Sequence, residues 1–385
     1  MDNVKNFIEN ETFNASLVYK ENIDEKLNIC LGNVSCDMDS SIGVYILAYY
    51  LTNLNKYYND IGNFDYLYIP VINCPRGELE SRLDIAFHFH KYNIDIKKLV
   101  YINDIDLNFY ASKNLLNLSI IDHNKLDVSQ EYFAKSVSMI VDHHVDTKEY
   151  DNYTNLNKIV TFCGSACSIA FNLFYDSNID YLLNKDIAMF FSPAIMLDTE
   201  NLNPDLKNSK WGDIDEIACH RIFRLISKDV YDSLIKMKTE RQLNIDLGLE
   251  LILKKDYKNY VWRKDHKAGI SVVFNTFHEL MLNFSVEGIK QQIKKKIVDN
   301  NLNMYMIITQ TYNSIGKVKR EFMFYDTDNS ELNKLIEDFK SKCPFKYKSK
   351  KFTGLTNNFA FFILEDDSIS RKKFEPVLRE IFSSI

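Results

Sequence analysis

Short β-rich runs and longer segments with helical apolar spacing alternate along the first half of this sequence, and that alternation limits the fold. The β-rich runs are Lys26–Leu31, Asp65–Ile72, Leu99–Ile102, Leu118–Ile121 and Val137–Val141. Segments with helical spacing are Ser40–Leu54, Leu79–Asn93, Ser165–Leu197 and Asp213–Ile226. Strands that alternate with helices form a parallel sheet with helices on both faces. We therefore predict an α/β fold for this half, with ligand-binding residues beyond the carboxyl ends of its strands.

The second half of the sequence predicts a smaller α/β domain with a mixed or antiparallel sheet. Its strand-like runs are Gly269–Phe274, Met304–Thr309, Glu321–Tyr325 and Phe359–Leu364, and its predicted helices are Tyr231–Leu253, Val286–Val298, Ser330–Lys340 and Arg371–Phe382. The basic stretch Lys342–Lys351 is predicted to be a solvated loop. Because 385 residues exceed one compact core, we predict two domains, 1–225 and 229–385, although no linker rich in proline or glycine separates them.

Composition is that of a soluble globular protein, with 46% apolar and 26% charged residues. No apolar run is long enough to cross a membrane, and the polar, acidic amino terminus lacks the apolar segment of a signal peptide. The seven cysteines are scattered and odd in number, which favours reduced thiols in a cytoplasmic protein. Residues 1–228 hold 20 basic and 32 acidic side chains, whereas 229–385 hold 27 and 21. This asymmetry is either accidental or the sign of a cation-binding half joined to an anion-binding half.

Acidic residues and histidines cluster where the predicted strands end. The residues that follow the first, fourth and fifth runs are Asp37 and Asp39, then Asp122 and His123, then Asp142, His143 and His144. A further aspartate, Asp198, ends an apolar helical segment. Because the carboxyl ends of parallel strands meet at one edge of a sheet, the first three clusters can converge. Carboxylates together with imidazoles suit Mg²⁺ or Mn²⁺, and the lack of a paired-cysteine pattern disfavours structural zinc.

Each cluster also has an ordinary structural interpretation. An aspartate after a strand often caps the next helix, and Asp39 or Ser40 is placed to do so. Adjacent histidines inside a strand point to opposite faces, so His143 and His144 can share a cavity only where the strand has ended. Four such clusters in one chain make independent capping a poor explanation of the whole set.

The motifs at these positions resemble those of the DHH phosphoesterase superfamily. The segments that carry the resemblance are GNVSCDMDS (32–40), IDHN (121–124), VDHHVD (141–146) and LDT (197–199). In the second half, KKDYK (254–258), AGISVV (268–273) and SRKK (370–373) resemble the companion DHHA2 domain of family II pyrophosphatases, exopolyphosphatases and prune proteins. VINCPRGELESR (71–82) and CGSACSIA (163–170) resemble the exopolyphosphatase and prune branch. The glycine-rich GGGH-like motif of the nuclease and oligonucleotide phosphodiesterase branches is absent from the sequence.

This resemblance implies a site for two divalent metal ions. The residues that would bind them, with Asp122 bridging both, are Asp37, Asp39, Asp122, His143 and Asp198. Asp142 would orient the site rather than ligate. Family II pyrophosphatases have a metal-ligating histidine at the position of Asn33, so the resemblance implies Mg²⁺ here ahead of Mn²⁺ or Co²⁺. The residues that would contact substrate phosphates are Asn33, His123, His144, Lys258, Arg371 and Lys372.

The implied activity is that of an exopolyphosphatase, in which a water activated by two cations attacks the terminal phosphorus of inorganic polyphosphate and orthophosphate is released. Asp122 and His144 would act at the reacting group, in a cleft closed by two domains. The open alternatives are a pyrophosphatase, a prune-like phosphatase of short polyphosphates or nucleotides, and a non-enzymatic prune-like binding protein. On its own, SRKK is as consistent with the start of a surface helix. Nucleic acids and membranes are not expected as partners, and no oligomeric state is predicted.

Overall fold

The structure is a computed structural model, and it describes residues 2–58, 67–152, 156–226, 248–263, 266–312, 318–325, 329–350, 359–365 and 369–383. The chain divides into two compact units, Met1–Lys238 and Thr239–Ile385. The predicted domain limits stay a prediction, because residues 227–247 lie outside the described ranges, as does most of the predicted helix Tyr231–Leu253. Among the helices that are described, none combines the length and the apolar character needed to cross a bilayer.

The amino-terminal unit is built on a six-stranded parallel sheet, as predicted. Its strands are β1 (Leu27–Leu31), β2 (Tyr68–Ile72), β3 (Val100–Tyr101), β4 (Leu116–Ile121), β5 (Val137–Asp142) and β6 (Asn157–Val160). Their order is β3-β2-β1-β4-β5-β6, and every neighbouring pair is parallel. The order reverses direction between β1 and β4. Connections diverge at such a point, which opens a crevice at the carboxyl ends of these two strands.

Helices pack against this sheet. They are α1 (Asp2–Asn6), α2 (Phe13–Tyr19), α3 (Met38–Tyr58), α4 (Leu83–Lys91), α5 (Leu107–Ser112), α6 (Ala166–Asp176), α7 (Lys185–Asp198) and α8 (Asp213–Phe223), and a π-helical segment, Phe7–Thr12, joins α1 to α2. All five residues of β1 are buried, as expected of a central strand covered on both faces. Strand β6 was not predicted, because its sequence, NKIV, is short and none of its residues is fully buried.

The described part of the carboxyl-terminal unit contains a six-stranded mixed sheet. Its strands are β7 (Tyr257–Arg263), β8 (His266–Val273), β9 (Met304–Thr309), β12 (Glu321–Tyr325), β13 (Tyr347–Lys350) and β14 (Phe359–Leu364), and β10 (Thr311–Tyr312) and β11 (Val318–Lys319) form a separate ribbon. The sheet order is β13-β14-β12-β9-β8-β7. Only the β8–β9 pair of this sheet is parallel, which confirms the predicted mixed sheet. The described helices are α9 (Leu249–Lys255), α10 (Phe277–Phe284), α11 (Val286–Asp299), α12 (Asn329–Lys342) and α13 (Arg371–Ser383).

Strand β9 packs against two separate cores. Met306 and Ile308 belong to one hydrophobic cluster, whereas Tyr305 and Ile307 belong to another. Alternate residues of a strand point to opposite faces of the sheet. This sheet is therefore covered on both faces, and its strands read as continuous apolar runs rather than as alternating ones.

The predicted loop Lys342–Lys351 is wrong in its second part, where Tyr347–Lys350 forms the edge strand β13 antiparallel to β14. The ring of Tyr347 lies 5.3 Å from the ring of Phe362, which holds the strand on the core. Lys348 is exposed and its ammonium group lies 2.7 Å from Glu365. Lysines on an edge strand discourage pairing with other chains. A basic stretch and a strand are thus compatible at the edge of a sheet.

Candidate metal centre

The loop after β1 places Asp37 and Asp39 at the start of α3. The Oδ1 atom of Asp37 accepts the backbone N–H of Ser40 at 3.1 Å, and its Oδ2 atom accepts the Ser35 hydroxyl at 3.3 Å. Asp37 is therefore the residue that caps α3. Asp39 and Ser40, which the sequence offered as candidate caps, lie inside the first helical turn. A carboxylate can accept several hydrogen bonds or ligand contacts on its two oxygens, so capping does not exclude metal binding by Asp37.

Asp39 lies at the amino end of α6, a helix more than 120 residues away in the sequence. The Asp39 carboxylate accepts the backbone N–H groups of Ala166 at 2.7 Å and Cys167 at 3.0 Å, and also the hydroxyl of Ser165. Ser165 is the N-cap of α6. The amino end of a helix carries a partial positive charge that stabilises an anion. Although Asp39 is only 3% exposed, both of its carboxylate oxygens thus accept hydrogen bonds.

Asp122 lies where β4 ends, in the left-handed backbone conformation with φ of 64°. Aspartate tolerates this conformation better than most residues, and it turns the side chain out of the strand. The carboxylate accepts the Asn33 side-chain amide at 2.6 Å and lies 3.1 Å from Nε2 of His143. Burial raises the pKa of Asp122 well above its usual range, and the nearby charges of Asp37 and Asp39 raise it further. Three carboxylates this close need a compensating positive charge.

His143 contacts two of these carboxylates. Its Nδ1 atom lies 3.0 Å from the carbonyl oxygen of Cys163, and its Nε2 atom lies 3.1 Å from Asp122 and 3.7 Å from Asp39. Burial lowers the pKa of His143, but the two carboxylates outweigh burial and raise it to about 10. A carbonyl oxygen only accepts, so Nδ1 carries a hydrogen and Nε2 faces the carboxylates. A divalent cation placed there would replace the Nε2 proton and satisfy all three groups.

Asp142 holds the adjacent histidine and the turn beyond β5. Its Oδ1 atom accepts the backbone N–H of His143 at 2.8 Å and Nδ1 of His144 at 2.8 Å, while Asn124 donates to Oδ2. Burial raises the pKa of Asp142, but the hydrogen bonds from His144 and Asn124 more than offset it, and the net shift is downward. Through its hydrogen bonds to His143 and His144, Asp142 orients the histidine pair, in the way that outer partners orient metal ligands.

Four side chains of this site each offer a ligand atom within 4.8 Å of the others, and these are Asp122, Asp142, His143 and His144. Two of them, Asp122 and His143, belong to the five predicted metal ligands. Asp39 joins them through His143. Asp198 is the last residue of α7 and is partly exposed. Burial raises the pKa of the Cys167 thiol, and the charge of Asp198 adds to that rise. The backbone N–H of Cys167 donates to Asp39. The donor set of carboxylates and imidazole fits a hard divalent cation, and the full five-residue ligand set stays a prediction.

The predicted substrate residues of the amino-terminal unit differ in their surroundings. Asn33 is held on both sides, because its carbonyl oxygen accepts the Ser35 backbone N–H at 2.9 Å while its amide donates to Asp122. His123 has Nδ1 2.9 Å from the Ile121 carbonyl oxygen, and burial lowers its pKa. Its Nε2 atom is buried and has no hydrogen-bond partner among the described residues. The side chain of His144 is 39% exposed.

In the carboxyl-terminal unit, the structure joins the two predicted phosphate-binding motifs. Arg371, from SRKK, donates to the backbone carbonyl of Asp256 at 2.9 Å and lies 2.7 Å from its carboxylate. Asp256 belongs to KKDYK, and Lys258 lies two residues further on, in β7. The side chain of Arg371 is only 12% exposed. The position of Lys372 is in α13, but its side chain lies outside the described residues.

Three residues that support the centre were not predicted as site residues. Ser165 bonds Asp39, the carbonyl of Cys163 bonds His143, and Asn124 bonds Asp142. A serine before a helical segment is a recognisable N-cap signal, so the capping role of Ser165 was open to prediction. Its contact with Asp39 was not, because the two residues are 126 positions apart.

Comparison with known families agrees with this geometry. Residues 28–195 match the family model described as DHH family, N-terminal domain, and residues 235–381 match the one described as DHHA2 domain. The chain therefore carries a DHH amino-terminal domain and a DHHA2 domain, as its motifs predicted.

Individual relatives are distant but cover most of the chain. Exopolyphosphatase PRUNE1 of Rattus norvegicus is 22% identical over 361 residues, which is 93% of this chain and 76% of the relative. The Homo sapiens protein of the same name is 23% identical over 363 residues, with the same coverage. A solved structure of a Methanococcus jannaschii protein, assigned provisionally to the family II inorganic pyrophosphatases, superposes with a TM-score of 0.57 at 17% identity. The superposition covers 92% of this chain and 99% of that one, and it shows a shared fold.

Proposed function

We propose that this protein is a metal-dependent exopolyphosphatase that releases orthophosphate from the end of inorganic polyphosphate. The observation that carries the proposal is the convergence of Asp39, Asp122 and His143, three buried groups from separate segments, at the point where the strand order reverses. The exopolyphosphatase named among its relatives covers nearly the whole chain and supports the same conclusion. The broader proposal is that the protein hydrolyses phosphate bonds, and the narrower one is that its substrate is inorganic polyphosphate.

The cations would be held by Asp37, Asp39, Asp122, His143 and Asp198. Bound divalent cations supply Lewis-acid activation of water and neutralise phosphate charge. The protein's own contribution is an array of buried acceptors held in place by fixed donors, namely the α6 amino end for Asp39 and the Asn33 amide for Asp122. Because these donors are already in place, the array needs little rearrangement when cations bind.

His144 is proposed to contact the terminal phosphate. Asp142 holds its Nδ1 atom at 2.8 Å, so the hydrogen on that nitrogen is committed and Nε2 is left to face the substrate. Its partial exposure is consistent with a residue that meets an incoming ligand. Asn33 and His123 are further proposed phosphate contacts, and both lie beside Asp122 in the fold or in the sequence.

Lys258, Arg371 and Lys372 are proposed to bind the remaining phosphates of the substrate. Polyphosphate carries about one negative charge per phosphate, and arginine can bind two phosphate oxygens at once. Arg371 is held in position by Asp256, which reduces the side-chain entropy lost when it binds an anion.

Phosphate release measured side by side on pyrophosphate, tripolyphosphate, long-chain polyphosphate and ATP tests the proposal. Each substrate should be assayed with Mg²⁺, Mn²⁺ or Co²⁺, and Asp122→Asn serves as the control for contaminating phosphatases. We expect metal-dependent release from polyphosphate, with long chains shortened from their ends rather than cut internally. Higher kcat/KM on pyrophosphate or ATP would reassign the substrate within the family. If the wild type releases no phosphate from any of the four substrates with any of the metals, the enzymatic proposal would be overturned in favour of a binding protein.

A further inference from the structure

Helix α7, which ends at Asp198, contains a proline in its interior. Pro193 has no backbone N–H, so the carbonyl of Met189, four residues earlier, lacks its usual helical donor. A proline ring inside a helix also clashes with that carbonyl and is a common cause of helix kinks. Residues 190–197 of α7 are buried, and Met189 itself is partly exposed. A donor from elsewhere in the fold would replace the missing helical hydrogen bond.

Two side chains at the end of α4 meet the interrupted turn. The hydroxyl of Tyr92 donates to the carbonyl oxygen of Met189 at 3.0 Å. The Nε2 atom of His88 lies 2.8 Å from the next carbonyl oxygen, that of Phe190. His88 is fully buried, with its ring centroid 4.9 Å from that of Tyr92 and 5.0 Å from that of Phe190. These two contacts form a clamp on α7 one turn before Pro193.

The histidine of this clamp is a neutral donor. Burial lowers the pKa of His88 to about 3, so its ring is uncharged at neutral pH. A carbonyl oxygen can only accept, so Nε2 of His88 carries the hydrogen. Both clamp residues thus act as hydrogen-bond donors without introducing a buried charge, which the apolar surroundings would oppose.

The clamp lies two turns before the carboxylate that the metal centre requires. Beyond Pro193 the helix closes normally, since the backbone N–H of Thr199 donates to the Ile195 carbonyl at 3.0 Å. The direction of this last segment, and with it the position of Asp198, therefore depends on how the turn at Met189 and Phe190 is held. We propose that Tyr92, together with His88, is a positioning residue for metal binding, which sets the end of α7 so that Asp198 reaches its cation. This inference rests on the proposed function, in which Asp198 is a ligand.

Metal affinity measured directly, without substrate, tests the clamp. Calorimetric titration of the full chain with Mn²⁺ would compare wild type, Tyr92→Phe and Asp198→Asn. We expect Tyr92→Phe to bind Mn²⁺ about three- to tenfold more weakly, the range that loss of one hydrogen bond allows. Tyr110→Phe is the matched control, because Tyr110 is buried in the same unit and donates to the Tyr19 carbonyl at 2.7 Å. It should lose comparable thermal stability and keep wild-type Mn²⁺ affinity.

Rescue separates positioning from general loss of structure. Pro193→Ala restores the missing N–H, so Met189 regains a helical donor and the Tyr92 hydroxyl becomes redundant. In the Pro193→Ala background, Tyr92→Phe should therefore change Mn²⁺ affinity by less than about twofold. Equal weakening by Tyr92→Phe and Tyr110→Phe, or by Tyr92→Phe in both backgrounds, would overturn the clamp. If Asp198→Asn binds Mn²⁺ like wild type, the ligand assignment fails; if Asp198→Asn is impaired and Tyr92→Phe is not, only the clamp fails.

Discussion

The candidate metal centre and the proposed phosphate-binding residues Arg371 and Lys258 are built in different ways. In the first, groups from the ends of β1, β4 and β5 contact one another directly, as in the pair His143 and Asp122. In the second, the key cation, Arg371, is already paired with an acidic residue of the neighbouring motif, Asp256. A parallel sheet brings its strand ends together by topology, whereas the availability of Arg371, at the start of α13, depends on its neighbours. The comparison teaches that a motif identifies a residue but does not say whether that residue is free to bind.

The largest effect of a single substitution is expected at Asp122. Replacing it by asparagine removes the charge that His143 and the cations share, so we expect turnover to fall at least about 100-fold while the fold is kept. Steady-state kinetics and thermal unfolding measure the two effects separately. Asp127→Asn, in the same region but at an exposed cap, is the matched control and should keep normal turnover. Retention of more than about a tenth of wild-type kcat would show that Asp122 does not bridge the cations.

Arg371→Ala tests whether a paired arginine still binds substrate. If it contacts phosphates while bonded to Asp256, its loss should lower kcat/KM on polyphosphate by about 10- to 200-fold, the range for a charge-assisted contact. Metal affinity should be unchanged, and salt should inhibit the variant less steeply than wild type.

Arg76 provides the control for this experiment, because it is bonded to the Lys97 carbonyl at 2.7 Å and pairs with Asp104. Arg76→Ala should lower thermal stability without raising KM. Normal kinetics for Arg371→Ala would make SRKK the start of an ordinary surface helix. Weakened metal binding would show that the two regions are not functionally separate.

Ser165→Ala tests whether the hydroxyl bonded to Asp39 supports metal binding. It removes a hydroxyl bonded to Asp39 and also the cap of α6, and changes of this kind around a ligand typically weaken metal binding about 10- to 100-fold. We expect Mn²⁺ affinity to fall by the lower end of that range. Turnover at saturating metal should recover largely. The comparison variant is Thr276→Ala, which removes the N-cap of α10 in the other unit. If both variants leave Mn²⁺ affinity unchanged, Ser165 is a cap and nothing more.

Asn33→His should give the smallest effect, a change in metal ranking. The asparagine amide that donates to Asp122 would be replaced by an imidazole able to ligate, and imidazole favours later divalent ions than Mg²⁺. We expect the ratio of Mn²⁺- to Mg²⁺-supported activity to rise by about three- to tenfold. Parallel assays with Mg²⁺, Mn²⁺ and Co²⁺ on wild type and variant would reveal it. An identical ranking in both proteins would mean that residue 33 does not reach the cations.

Local pattern was enough to predict the strands that carry the centre. The apolar runs of β1, β4 and β5 are long enough to stand out, and parallel topology then places Asp39, Asp122 and His143 at one edge. Features that depend on partners far away in the sequence could not be predicted from local sequence pattern. The edge strand at Tyr347 is set by contact with Phe362, and the capping of α3 by Asp37 rather than Asp39 depends on α6, which occupies the Asp39 carboxylate.

The long separation between Asp39 and its partners on α6 has a consequence for biosynthesis. Cys167 follows Asp39 by 128 residues, and ribosomes add about 5–20 residues per second, so roughly 6 to 26 s pass before α6 can begin to form. During that interval the nascent chain displays an acidic loop without the helix end that fixes it. The order of translation thus makes completion of the proposed cation site a late event, one that follows the synthesis of most of the amino-terminal unit.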